Sequence, residues 1–147
     1  MSETVLSDLF RLGPEMALLA TVAAIVAADL IMRADPRRHR LLAGIASLGL
    51  FAAALLIPVA PELTGKADSI FSGMLAVDGF SIFFKWLFLA AALMGVFFGA
   101  LSNEISRGRF GEYLIILLCL TIGLCLLVSA QNLLMVFLAI ELVSLPS

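Results

Sequence analysis

Charge is scarce in this chain. Only 14% of its 147 residues are Asp, Glu, Lys or Arg, and 63% are hydrophobic, where a water-soluble domain stands near half. Nine basic residues against eleven acidic ones leave a net charge of −2, which gives no basis for a nucleic-acid partner. Histidine is nearly absent: His39 is the single one, and the two cysteines, Cys119 and Cys125, stand six positions apart in an apolar run. That separation is about 600° of helix, so the thiols point to different faces. No CxxC or Cys/His cluster exists to hold zinc, and inert buried thiols are the reading that follows. The opening Met1 to Phe10 carries Glu3 and Asp8 and no basic residue, so it lacks the positive start of a secretory signal, and the first hydrophobic stretch is expected to be retained.

What remains is apolar, with a mean hydropathy of +1.15. The fold class this predicts is an all-α membrane protein, a polytopic bundle of about five transmembrane helices in a single region covering 1–147. The first runs from Pro14 to Met32, with Pro14 in the first turn and Glu15 where the helix dipole favours an anion. The second spans 41–59, closed by Pro58 and Pro61. The third spans 80–101 and the fourth 113–130. The turn Ser129-Ala130-Gln131-Asn132 is so short that the fifth, 132–147, must form an antiparallel hairpin with the fourth. Sixteen residues rise about 24 Å against a hydrocarbon core of about 30 Å, so this fifth helix is incomplete and a continuation is expected to finish the span.

Between the second and third helices, the connection 61–78 carries Glu62, Lys66, Asp68 and Asp78. Its Ile70, Phe71, Met74, Leu75 and Val77 suggest that it lies along the membrane interface. Arginine placement sets orientation. Arg33, Arg37, Arg38, Arg40, Arg107 and Arg109 follow the first and third helices, while only Lys66 follows the second or fourth. The positive-inside rule then places the N-terminus outside and the two arginine loops in the cytoplasm.

Most polar residues in the helices have structural readings. Asp29 and Arg33 stand at i, i+4 and predict an ion pair at the membrane edge. Glu112 opens the fourth helix where the dipole favours a carboxylate. Gly95-x-x-x-Gly99 and the series Ala20, Ala24, Ala28 suit close helix contact. Lys85 is the one basic residue well inside a predicted helix, about two turns from its external end. The favoured reading is a stem that snorkels to the interface; a lysine facing the bundle for function is the alternative.

Glu141 is different. It interrupts the apolar run from Leu133 to Val143, and nine residues of rise from Asn132 put it about 13–14 Å deep, near mid-membrane. A charge there costs roughly 2.5–3.5 kcal/mol on insertion scales, which makes an intramembrane acid a candidate for proton or ion transfer. A neutral carboxylic acid hydrogen-bonded between helices is the bland alternative. Ser144 lies one turn on along the same face and is placed to hydrogen-bond the carboxylate. Pro146 cannot donate to the carbonyl of Leu142, which frees a backbone acceptor beside Glu141. Glu141 is thus the candidate proton-translocating residue, with Ser144, Pro146 and Lys85 in support, and no residue pattern reads as a metal, flavin, haem or nucleotide site.

Two groups of motifs carry a family resemblance. One is Gly111-Glu112-Tyr113-Leu114, leading through Ser129-Ala130-Gln131-Asn132-Leu133-Leu134 to Glu141-Leu142-Val143-Ser144-Leu145-Pro146. The other is Phe71-Ser72-Gly73-Met74 with Val77-Asp78-Gly79-Phe80-Ser81. Together they resemble the N subunit of proton-translocating NADH:quinone oxidoreductase, respiratory complex I, over the N-terminal part of such a subunit.

The resemblance implies a truncated antiporter-like subunit of a bacterial inner membrane complex, taking part in proton translocation coupled to quinone reduction. Its partners would be the other membrane-arm subunits, the remainder of the N subunit and the lipid bilayer. NADH, FMN, iron–sulfur clusters and quinone would belong to other subunits, with no cofactor in this chain. By the same resemblance Glu141 aligns with an acid that pairs with a lysine on a later helix, beyond Ser147. Two readings stand against this one: a subunit of a multi-subunit cation/proton antiporter, and a scaffold piece without transport activity.

Overall fold

The computed structural model describes residues 12–32, 37–57, 68–70, 75–102 and 108–144. Five helices carry the fold: α1 Gly13–Ile31, α2 Arg38–Leu55, α3 Gly79–Leu101, α4 Phe110–Ser129 and α5 Leu133–Ser144. Two three-residue strands, β1 Asp68–Ile70 and β2 Leu75–Val77, pair antiparallel between α2 and α3. The helices start and stop within a few residues of the sequence expectation. The last is helical over Leu133–Ser144, and the rest of its expected span lies outside the described residues.

Among the described residues α1, α3 and α4 are long and apolar enough to cross a membrane. α2 opens on Arg38-His39-Arg40, which lowers its mean hydropathy, and α5 is 12 residues long. The bundle is an all-α membrane fold with one small hairpin. That strand pair lies within the connection 61–78, most of which is outside the described residues. Leu75 is buried against Leu12, Ile82 and Met135, and its backbone bridges to Ala130, so β2 is stitched to the exit of α4.

Each helix buries one stripe. Leu18, Thr21 and Ile25 face inward from α1, and Leu42, Ala46, Leu50 and Ala53 from α2. Leu114, Leu118, Ile122 and Cys125 do the same from α4. These i, i+3 and i, i+4 steps follow the helical period, and the opposite faces carry large apolar side chains such as Leu30, Phe83, Phe97 and Ile116. An apolar outside over an apolar inside is what lipid as solvent requires. α1 packs on α2 and α4, α3 on α2 and α4, and α5 on α4.

Small residues let the backbones approach. A methyl group on Gly99 would collide with the ring of Tyr113, whose hydroxyl donates to the Gly95 carbonyl at 2.9 Å. The Gly95/Gly99 spacing therefore marks a real contact, α3 against α4. Gly49 gives way to Thr21 at the α1–α2 crossing, and Gly123 to Val143 at the α4–α5 crossing. The alanine series expected to do this on α1 does not: Ala20 and Ala24 are exposed, because the buried stripe of α1 runs through Leu18, Thr21 and Ile25.

Successive helices alternate in direction, so the bundle has two distinct ends. At the arginine end, Arg38 reaches back across the α1–α2 turn and donates from Nε to Asp29 Oδ1 at 2.8 Å. It also donates to the Gly108 carbonyl at 3.2 Å, while His39 lies against the Phe110 ring with centroids 4.0 Å apart. Asp29 thus pairs with Arg38, and Arg33, its expected partner, lies outside the described residues. Glu112 is exposed in the first turn of α4, as the dipole argument requires. At the hairpin end, Asp78 caps α3: its carboxylate accepts from the Ser81 backbone at 2.8 Å, and Ser81 Oγ accepts from the Asp78 N–H at 3.1 Å.

Candidate functional site

Besides Asp29 and Glu112 at the arginine end, the described helices carry two carboxylates, Glu15 and Glu141, and the bundle treats these two in opposite ways. Glu141 is on α5, which packs mainly on α4 and touches β2 through Met135 against Leu75. The buried side of α5 is set by Ala139 and Val143 closing over Gly123. Glu141 projects from the other side, is exposed, and has no ion-pair partner among the described residues. Leu134, Phe137, Leu138 and Ile140 are exposed around it. Ser144 donates to the main-chain carbonyl of Glu141 at 3.1 Å. The notch envisaged with Pro146 cannot be completed, since Pro146 lies outside the described residues.

Glu15 is the second carboxylate, and it is 6% exposed. Lys85 Nζ stands 2.7 Å from Glu15 Oε1, and the lysine is itself 3% exposed. The snorkelling expected of Lys85 is therefore overturned: its ammonium turns into the bundle. The reason lies in the register of α3, whose buried stripe runs Ser81, Lys85, Leu89, Ala92, Val96, Gly99. Lys85 occupies a core position of that stripe. Helical side chains lean toward the helix N-terminus, so the lysine stem reaches back to the hairpin end, where α1 begins with Pro14 and Glu15. A buried charge must be paired or neutralised, and each of these two residues supplies what the other needs.

Cys125 on α4 is buried within electrostatic range of both members of the pair. One turn further along α4, Ser129 is buried at 3% exposure. Among the described residues no group of three His, Cys, Asp or Glu side chains is placed to hold a metal ion.

The pairing had a signal in the sequence. Glu15 and Lys85 carry opposite charges, and each stands near the start of an apolar helix entering from the same end. Glu15 was read for its helix dipole alone, which is a local argument, and the pair is a tertiary one.

A bundle of apolar helices with apolar outer faces defines an all-α membrane protein. No protein-family model matches the chain. Individual relatives do. An NADH-quinone oxidoreductase subunit N from Anaeromyxobacter sp. is 40% identical over 134 residues, covering 91% of this chain and 25% of the relative. A subunit N 2 of the same enzyme from Solibacter usitatus is 33% identical over 95% of the chain and 29% of the relative. The F(420)H(2) dehydrogenase subunit N of Methanosarcina mazei is 32% identical over 97% of the chain and 29% of the relative. These matches place the chain in the N-subunit family of NADH-quinone oxidoreductases, as a part of such a subunit. It spans between a quarter and a third of the length of these relatives.

Proposed function

We propose that this chain is part of a membrane-arm subunit that takes part in proton translocation driven by quinone reduction elsewhere in a larger complex. The observation that carries the proposal is Glu141: an acid on an apolar helix, on a face that the described residues leave uncovered, in a chain related to N subunits. An exposed carboxylate in hydrocarbon is costly unless another element supplies a cation or water. Lys85 is not that cation, because Glu15 already holds it.

In this reading the uncovered face of α5 receives the remainder of the subunit, and a basic residue there pairs with Glu141. Pairing and release of the carboxylate would bias the proton occupancy of its partner. Moving one charge against 100 mV requires about 2.3 kcal/mol, so a coupling of that order per site is enough to matter. The electron donor belongs to other subunits. Support for this comes from relatives of one kind carrying names from both an NADH-quinone oxidoreductase and an F(420)H(2) dehydrogenase. The arginines at one end of the bundle favour that end in the cytoplasm, with the N-terminus on the outer side of a bacterial inner membrane.

Proton pumping by the complete complex carrying Glu141→Gln tests the proposal. The expected result is fewer protons moved per quinone reduced, in a complex that still assembles. Unchanged stoichiometry and turnover would refute the role and favour a scaffold. Activity that follows sodium and not a dehydrogenase substrate would favour the cation/proton antiporter.

A further inference from the structure

The Glu15–Lys85 pair is built entirely within these residues, and it differs from a plain structural salt bridge in one respect. Glu15 Oε1 lies 2.7 Å from Lys85 Nζ as an ion pair, yet neither Oε1 nor Oε2, both buried, has a hydrogen bond of good geometry among the described residues. Ser129 Oγ, one turn beyond Cys125 at the same end of α4, is likewise buried without one. A carboxylate oxygen in a low-dielectric interior is strongly disfavoured unless a donor reaches it. A buried pair kept only for stability would have both oxygens satisfied by the protein.

We propose that Glu15 and Lys85 form a proton-exchange site whose free carboxylate oxygen binds an internal water at the hairpin end of the bundle. The site is separate from Glu141: it lies between α1 and α3, and its surroundings do not depend on the uncovered face of α5. Water suits the site because it is small and donates to a carboxylate oxygen while keeping a lone pair for a hydroxyl such as that of Ser129.

Two proton positions define the exchange. Within the pair, an N–H bond of Lys85 breaks and an O–H bond forms at Glu15 Oε1, giving a neutral amine beside a neutral acid. From the water side, hydronium gives its proton to Oε2, leaving water and a carboxylic acid next to the ammonium. No oxidant or reductant is involved. Among the described residues few polar groups lie near the pair. The buried polar side chains on this stretch of α4 are Thr121, Cys125 and Ser129, and Cys125 is within electrostatic range of both charges. α3 presents Ser81, and Asp78 two turns before Lys85. The described half of α2 at this end, 46–57, contains no ionisable residue. Thr121 is occupied, donating to the Leu117 carbonyl at 2.7 Å, and Asp78 and Ser81 are engaged with each other. Among the described residues Glu15 and Lys85 form the charged pair at this end that is not engaged in a helix cap.

Infrared difference spectroscopy of the complete subunit in its complex, in membranes and without turnover, tests this directly. Acidification is expected to raise a protonated-carboxyl band that shifts promptly in heavy water, disappears in Glu15→Gln, and moves in Ser129→Ala. Spectra of the wild type and Glu15→Gln that superimpose would overturn the proposal. If Glu15→Gln does not assemble, Lys85→Arg keeps the charge but cannot give up a proton, so the acid-raised band is expected to persist and to shift in frequency. A band unaltered in Lys85→Arg would equally overturn it. Pumping is not the readout, so the outcome is independent of the role of Glu141.

Discussion

Asp29 and Arg38 close the first turn of the bundle: both Nε and a terminal nitrogen of the guanidinium converge on one carboxylate oxygen, Oδ1. Gly111, on the first turn of α4, lies directly against that carboxylate, and a side chain there would overlap it. Three helices therefore meet at one ion pair. Hydrogen bonds to charged groups contribute about 1.5–3 kcal/mol each. Arg38→Ala should lower the thermal stability of the purified subunit, and Arg38→Lys should recover only part of the loss, since a lysine lacks the guanidinium fork. Gly111→Ala should do comparable damage, and the two changes together should cost less than their sum. Melting curves of the three variants decide it; strictly additive losses would count against the shared contact.

Gly99 and Tyr113 make the equivalent contact between α3 and α4. Gly99→Ala forces the tyrosine ring aside and should cost about 1–3 kcal/mol, the usual penalty for overpacking. Tyr113→Phe removes one hydrogen bond to the Gly95 carbonyl and should cost about 1 kcal/mol. With Tyr113→Ala already present, Gly99→Ala should become nearly neutral. An undiminished penalty in that background, read from the same melts, would show that the ring is not what the methyl meets.

Removing one member of the Glu15–Lys85 pair should be worse than removing both. Lys85→Met strands a buried carboxylate and should cost about 3–5 kcal/mol, while Glu15→Gln with Lys85→Met should return much of that stability. A double variant no more stable than Lys85→Met would mean that the two side chains do not compensate each other. Yield of assembled complex and its melting temperature measure this.

At Glu141 the two conservative changes should separate. Glu141→Asp keeps an ionisable carboxyl and should retain more pumping than Glu141→Gln, which keeps the size and loses the charge. Equal pumping by both, at wild-type level, would mean that ionisation there is irrelevant. Proton uptake by inverted vesicles at matched quinone-reduction rates makes the comparison.

The helices were legible because lipid enforces them: each needs a long apolar run, and the runs are separated by Arg33 to Arg40, by Pro58 and Pro61, and by Ser102 to Arg109. The Gly95/Gly99 contact was legible for the same reason, as a spacing within one helix. The hairpin Asp68–Ile70/Leu75–Val77 was not, since two three-residue strands carry no period that distinguishes them from an irregular connection. The inward turn of Lys85 is not legible in the sequence, because its depth alone suits snorkelling. Only its place in the stripe with Ser81, Leu89 and Val96 shows which way it turns. Glu141 is legible as an acid in an apolar run, but its environment is not, because no group that meets it on the outer face of α5 is among the described residues.

Lys85 follows Glu15 by about seventy positions in the chain, and the ribosome delivers them in that order. When α1 leaves the translocon its acid has no counterpart, and α3 later brings in a cation that is equally uncomfortable alone. Biogenesis of this protein should therefore favour holding the first hairpin at the insertion machinery until the third segment arrives, so that the two meet before either is released into bulk membrane.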